Sequence, residues 1–342
     1  MSQKMIKPAA ILFSVIVLIC FGYLYTQLNS AYDGEDTFFT ISPGQGFSKI
    51  NYNLSEEKII TNPGFFHRYV KLKGELTSFK AGTYEIKNGM TLSEVLYELT
   101  QGQPILTKIT IPEGKNLYEV AALMQESKVT KEKDFIKAAK SSELLKKYNI
   151  KAPSLEGYLY PETYKFAPKS NAKNVVMAMV DVFNDKTKNL NFSKSKLTKH
   201  EVVILASIVE KETGASWERP TIAGVYLNRL KRPMRLQADP TTIYGIWEKY
   251  KGNLRKRHLL EKTAYNTYRI DGLPLGPIAN PSTAALSAVL NPAKHSFLYF
   301  VSKNDGTHIF TPTYKEHLRA VREFQLNAKN RKGKSWRDLK KK

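Results

Sequence analysis

Cysteine is almost absent: the only thiol in 342 residues is Cys20. Everything after it therefore lacks a disulfide framework, a cysteine nucleophile and cysteine metal ligands. Histidine is sparse too. The six sit at 67, 200, 258, 295, 308 and 317, and no pair has His-Glu-x-x-His spacing. Metal catalysis has no support in that pattern, and neither a metal nor another cofactor is expected. His308 lies beside a predicted hairpin and reads as a surface residue or local packing. No glycine-rich loop is placed to cradle phosphate. Ser207 lacks the flanking glycines of a nucleophile elbow and falls within a predicted helix. Acidic residues are in deficit, 31 against 53 Lys and Arg, for a formal net charge of +22. Such a balance suits nucleic acid, anionic head groups or an anionic wall polymer.

The N-terminus chooses among these. Lys4 and Lys7 precede an uncharged apolar run from Ala9 to Tyr25, and Asp33, Glu35 and Asp36 follow it. The run predicts a transmembrane helix over 9–28, N-terminus inside, with the rest of the chain extracytoplasmic. A cleaved signal peptide is the rival reading, set against by the length of the apolar core and by the poor site Asn29-Ser30-Ala31. A lipoprotein reading of Cys20 fails on the bulky Ile19 before it. An exported, disulfide-free chain fits a bacterial inner (cytoplasmic) membrane, single-pass. This topology argues against a nucleic-acid partner.

The fold class expected is α+β. Strand signals at 37–42 and 82–86 bracket helices near 47–55 and 63–73. Thr91 with Glu94 and Asn116 with Glu119 form capping boxes for two more helices. Strand, Pro/Gly turn and capped helix occur at both 37–55 and 106–126, either a weak internal repeat or two chance αβ units. Residues 153–168 are dense in Tyr, Gly and Pro, and read either as a packed connection or as platforms for sugar rings. Helices follow at 172–188, 201–213, 219–230 and 283–290. Polar-aromatic loops are expected at 235–245, 263–268 and 272–281, then a hairpin about Asn304-Asp305-Gly306 and a last helix to about Lys329.

The helix over 201–213 carries the sharpest signal. Thr198 and Glu201 form its capping box, and Val202, Leu205, Ile208 and Val209 make an apolar stripe. Glu212 falls near the middle of the stripe, and Glu210 almost opposite. A carboxyl on a desolvated face is harder to ionise, so Glu212 is either a general acid or a helix end reaching solvent. Around it stand loops of Gln, Asn, Tyr, Thr and Asp, the profile of a neutral polyhydroxyl site. Asp239, Asp271 and Glu261 are candidate second carboxylates for a water-using glycosidase. A single acid suffices if the substrate supplies its own nucleophile, as the C6 hydroxyl of N-acetylmuramic acid does.

In their order, Glu156–Tyr164, Leu205–Thr213, Arg235–Gly245, Thr263–Tyr268 and Gly272–Pro281, behind an N-terminal anchor, closely resemble the YceG-like (MltG) family of endolytic murein transglycosylases. The resemblance covers nearly all of the chain beyond residue 37. It implies a cytoplasmic N-terminus at 1–8, the helix at 9–28, a LysM-like domain at 37–103, a small αβ segment at 104–152, a catalytic domain at 153–328 and a basic tail at 329–342. It implies cleavage within nascent glycan strands to leave 1,6-anhydro ends, ending glycan polymerisation, with peptidoglycan as substrate and cell-wall synthases as partners. The family's catalytic glutamate falls on Glu212, with Thr213 where lytic transglycosylases more broadly carry Ser. Gln237, Asp239, Tyr244, Tyr265, Asn266 and Asn280 are expected to line the glycan cleft or, alternatively, to tie the loops together. A non-catalytic glycan-binding scaffold that recruits wall enzymes is the alternative of another class. A hydrolase with Asp239 as second carboxylate is a third.

Overall fold

The computed structural model describes residues 3–327, and side chains from Leu12 onward. The basic tail at 329–342 lies outside the described residues, whereas the last helix, expected to about Lys329, ends in a π-helical turn at Leu326. The chain forms two compact units, one of Met1–Lys108 with Lys165–Lys169, the other of Ile109–Tyr164 with the chain from Ser170 on.

In the first unit, α1 runs over Gln3–Leu28. Its apolar side chains stay exposed: Leu12 is 62% and Phe13 69% accessible. Among the described residues no helix is long and apolar enough to cross a membrane. The run read from the sequence begins at Ala9, ahead of the first described side chain. Strand β1 (Thr37–Ile41) pairs antiparallel with β2 (Gly82–Ile86), Phe39 opposite Tyr84. Between them lie α2 (Phe47–Glu56) and α3 (Pro63–Leu72), and α4 (Leu92–Thr100) follows. Phe39, Ile50, Leu54, Phe66, Val70, Tyr84 and Leu99 form one core. Thr91 and Glu94 close the capping box of α4, whereas Gly46 before α2 gives no side-chain cap. The strand–helix pairs at 37–55 and 106–126 differ in how their helices begin, since the second helix is capped by Asn116 with Glu119.

The chain passes into the second unit within β3 (Thr107–Thr110), which is bonded to β4 (Thr163–Phe166). Next come α5 (Leu117–Glu126), α6 (Glu132–Ala139), α7 (Ser142–Lys147) and α8 (Ala172–Thr187). Helix α9 (Lys199–Glu212) is central, packed by α10 (Arg219–Leu230), α11 (Asp239–Gly245) and α13 (Thr283–Leu290). The short α12 (Lys256–Leu260) lies against α11. A hairpin of β5 (Tyr299–Ser302) and β6 (His308–Thr311) then packs on α14 (Tyr314–Val321). The mixed α+β class holds, as helices with three two-stranded sheets among the described residues.

Helix α9 has no solvent face along most of its length: every residue from Val202 to Val209, Ser207 included, is buried. A helix enclosed on all sides belongs in a core, so the expected single stripe is too narrow an account of it. The 153–168 segment is likewise packed. Tyr158 is buried, stacks on His200 and edges Phe183; Tyr160 and Tyr164 are buried as well. Their rings fill the interior and are not platforms for sugar. Gly157, at φ +86°, turns the chain where a Cβ would lie 2.6 Å from Pro277 and 2.8 Å from Val203. No larger residue fits both the backbone and the space.

Candidate active site

The two carboxylates at the end of α9 have opposite surroundings. The Glu210 side chain is only 5% exposed, and one of its oxygens accepts from Arg219 Nη2 at 2.9 Å. Its other oxygen accepts from the backbone N–H and hydroxyl of Ser282, the residue that caps α13. Glu210 therefore joins α9 to α10 and α13, with both oxygens engaged by the protein. It is not on a solvated back face.

Glu212 is the last residue of α9 and is partly open. Burial pushes its carboxyl up to about 7, and the Asp239 charge pushes the same way. A hydrogen bond with Tyr226 and the Arg229 cation pull in the other direction. Tyr226 is fully buried and stays a phenol, raised by burial and by the Glu212 charge. Arg229 is fixed by donating from Nε to Leu298 O at 2.7 Å and from Nη1 to Leu236 O at 2.6 Å. Its guanidinium also lies over the Tyr299 ring. Asp239 starts α11 and accepts from the Tyr268 hydroxyl at 2.7 Å. The result is an acid poised near neutrality, with a phenol and a cation behind it and a second carboxylate nearby.

The loop after Glu212 is fixed from the hairpin. Glu218 accepts from the His308 backbone N–H at 3.0 Å and bonds His308 Nδ1 at 2.7 Å. A Cβ at Gly214 would meet the Gly306 carbonyl at 2.4 Å. His308 thus holds a loop, as local packing predicts, and no cluster able to hold a metal exists among the described residues. Ser207 donates to Ile204 O and accepts from Ile278 N–H, so its hydroxyl is structural.

The YceG-like family model matches residues 39–323. This chain belongs to the YceG-like family. A family relative, the endolytic murein transglycosylase of Bacillus subtilis strain 168, is 35% identical over 311 residues, covering 85% of each chain. The endolytic murein transglycosylase of Streptococcus pneumoniae strain R6 is 32% identical over 328 residues, and the match spans 58% of that longer relative. The crystal structure of a yceG-like protein from Listeria monocytogenes superposes with a TM-score of 0.58 at 32% identity, covering 84% of this chain and 99% of that one.

The residues expected to line a YceG-like cleft part into two groups. Gln237 is exposed in a left-handed conformation, φ +50°, and Asp239 is exposed beside it. Tyr244 and Tyr265 are half-buried, their rings 4.8 Å apart. Asn266 and Asn280 are fully buried. Asn280 accepts from Gly157 and Leu159 N–H at 2.9 Å each and donates to Lys115 O. Asn266 accepts from Thr242 and Tyr268 and donates to the carbonyls of His258, Leu259 and Glu261. Both amides bond to the protein, the arrangement expected of loop ties. Of the other carboxylates, Asp271 pairs with Arg235 at 3.0 Å, and Glu261 lies at a separate cavity.

Two functional neighbours escaped the sequence. Tyr226 and Arg229 read there as ordinary residues of the next helix; their spacing of three on α10 puts them on one face, the only signal available. Glu156 also lies in the unit's interior, 1% exposed, accepting from Leu117 N–H at 2.7 Å and bonding Tyr244. Burial raises its carboxyl to about 7.

Proposed function

We propose that this chain is a peptidoglycan lytic transglycosylase whose general acid is Glu212. The observation that carries the reading is the contrast on α9, where Glu210 is consumed by Arg219 and Ser282 while Glu212 keeps a carboxyl raised to about 7. Relatives named endolytic murein transglycosylase support the substrate class.

In the reaction, protonated Glu212 gives its proton to the glycosidic oxygen between N-acetylmuramic acid and N-acetylglucosamine. The C1–O bond breaks, and the positive charge growing at C1 faces Asp239. The carboxylate left on Glu212, stabilised by Tyr226 and Arg229, takes the proton of the C6 hydroxyl as O6 bonds C1. The products are a 1,6-anhydro end and a new free 4-hydroxyl; no water is consumed and Glu212 is again protonated. Cleavage within nascent strands would make the protein a terminase of glycan polymerisation alongside cell-wall synthases. In this reading α1 over 9–28 anchors the chain in the cytoplasmic membrane, its exposed apolar side chains finding lipid, and residues 37–103 act as a LysM-like module beside a catalytic part at 153–328 joined through 104–152.

A second reading has a specific basis. The Asp239 charge acts directly on Glu212, and paired carboxylates also serve hydrolysis by water. Mass spectrometry of digested peptidoglycan separates the outcomes. Anhydro ends, lighter by one water, support the transglycosylase. Reducing ends support the hydrolase, and an undigested glycan supports a binding scaffold.

A further inference from the structure

A cavity of about 290 Å³ in the second unit, lined by Tyr118, Tyr244, Trp247, Glu261 and Thr263 among others, is not used by the chemistry at Glu212. Tyr118 and Trp247 lie nearly parallel, 12° between planes and 6.0 Å between centroids, and Tyr244 closes the corner 6.2 Å from Tyr118. All three rings are only half-buried, so they form a wall and do not fill a core. The wall is built in from behind. Glu156, fixed at the first turn of α5 by Leu117 N–H, bonds Tyr244, while Lys140 lies over the Tyr118 ring at 5.4 Å.

We infer that this cavity is a subsite for an N-acetylhexosamine ring of the glycan strand, its apolar face against the open side of the stacked Tyr118–Trp247 pair beside the cleavage point. Aromatic faces match the apolar C–H face of a pyranose, and Glu261 and Thr263 at the rim offer partners for its hydroxyls. The cavity carries Glu248 and Glu261 against Lys249, which disfavours a phosphate or another anion. Its position fits one strand: α11 begins at Asp239, next to the acid, and reaches Tyr244 five residues on, about 7.5 Å along the axis. A neighbouring sugar of the same chain covers that span. Glu156 is then a positioning residue, holding Tyr244 in the wall.

The inference rests on the glycan reading of the Glu212 site, and its test is independent of cleavage. The full chain carrying Glu212→Gln is titrated with N-acetylglucosamine tetramer by calorimetry. Saturable binding that Trp247→Ala weakens about tenfold, with melting unchanged, supports the subsite. Affinity unaltered in that folded variant overturns it. Should Trp247→Ala not fold, Trp217→Phe with Trp336→Phe leaves Trp247 as the sole indole of three. A saturable shift of its fluorescence on adding the tetramer supports the proposal, and an unchanged spectrum overturns it. A peptidoglycan digest without anhydro ends, alongside Trp247-dependent binding, would overturn only the transglycosylase chemistry.

Discussion

Glu210 and Glu212, two residues apart on α9, differ by what faces them: Arg219 and Ser282 engage both oxygens of Glu210, while Tyr226 and the Asp239 charge meet Glu212. One turn of helix therefore carries a structural anion and an ionisable acid. The difference comes from neighbours 9 and 72 residues beyond Glu210, not from the helix itself.

Glu210→Gln should be a stability variant. Removing the charge leaves Arg219 facing a neutral amide in a nearly buried site, and breaking such a pair costs about 3 kcal/mol. The expected result is a clear drop in melting temperature, with the folded fraction still cleaving glycan. Calorimetry beside an activity assay on the same sample checks it.

The activity should fall as pH rises through about 7, where Glu212 loses the proton it must donate. Stability should follow the same direction. Glu156 and Glu212 both hold protons more tightly folded than unfolded, so their contribution is full below about 4.5 and is lost as pH climbs through about 7. For the buried Glu156 the loss is roughly 3 kcal/mol. Glu156→Gln should flatten that part of the stability–pH curve, measured by urea unfolding between pH 5 and 8.

Asn280→Ala should damage the fold and not sugar recognition. It strands the buried Leu159 N–H, leaves the Gly157 N–H only its longer bond to Glu156 at 3.3 Å, and takes one of two donors from the Lys115 carbonyl; a lost partner costs on the order of 1–3 kcal/mol per buried group. A large fall in melting temperature with unchanged glycan affinity in the folded protein is the expected outcome.

Local chemistry made much of this legible. The capping boxes at Thr91, Asn116 and Thr198 place α4, α5 and α9 within a residue or two of their ends, and the raised carboxyl at Glu212 follows from its apolar helix. Helix α11 was missed: 235–245 reads as a polar-aromatic loop, yet Pro240 in the first helical turn is a start signal. Within the small αβ segment at 104–152, no element is expected after residue 126, yet α6 and α7 form there. The status of Asn266 and Asn280 was illegible because a free amide and a buried tie share one residue type; partners as distant as Gly157, 123 residues away, decide it. The Tyr118–Trp247 wall was hidden for the same reason, its halves meeting only in the folded chain.

The decisive measurement is the mass of the glycan ends made from purified peptidoglycan by the wild type, Glu212→Gln and Glu210→Gln, each verified as folded. Anhydro ends from the wild type and from Glu210→Gln, with none from Glu212→Gln, are expected. Anhydro ends from Glu212→Gln at the wild-type rate would contradict the assignment of the acid.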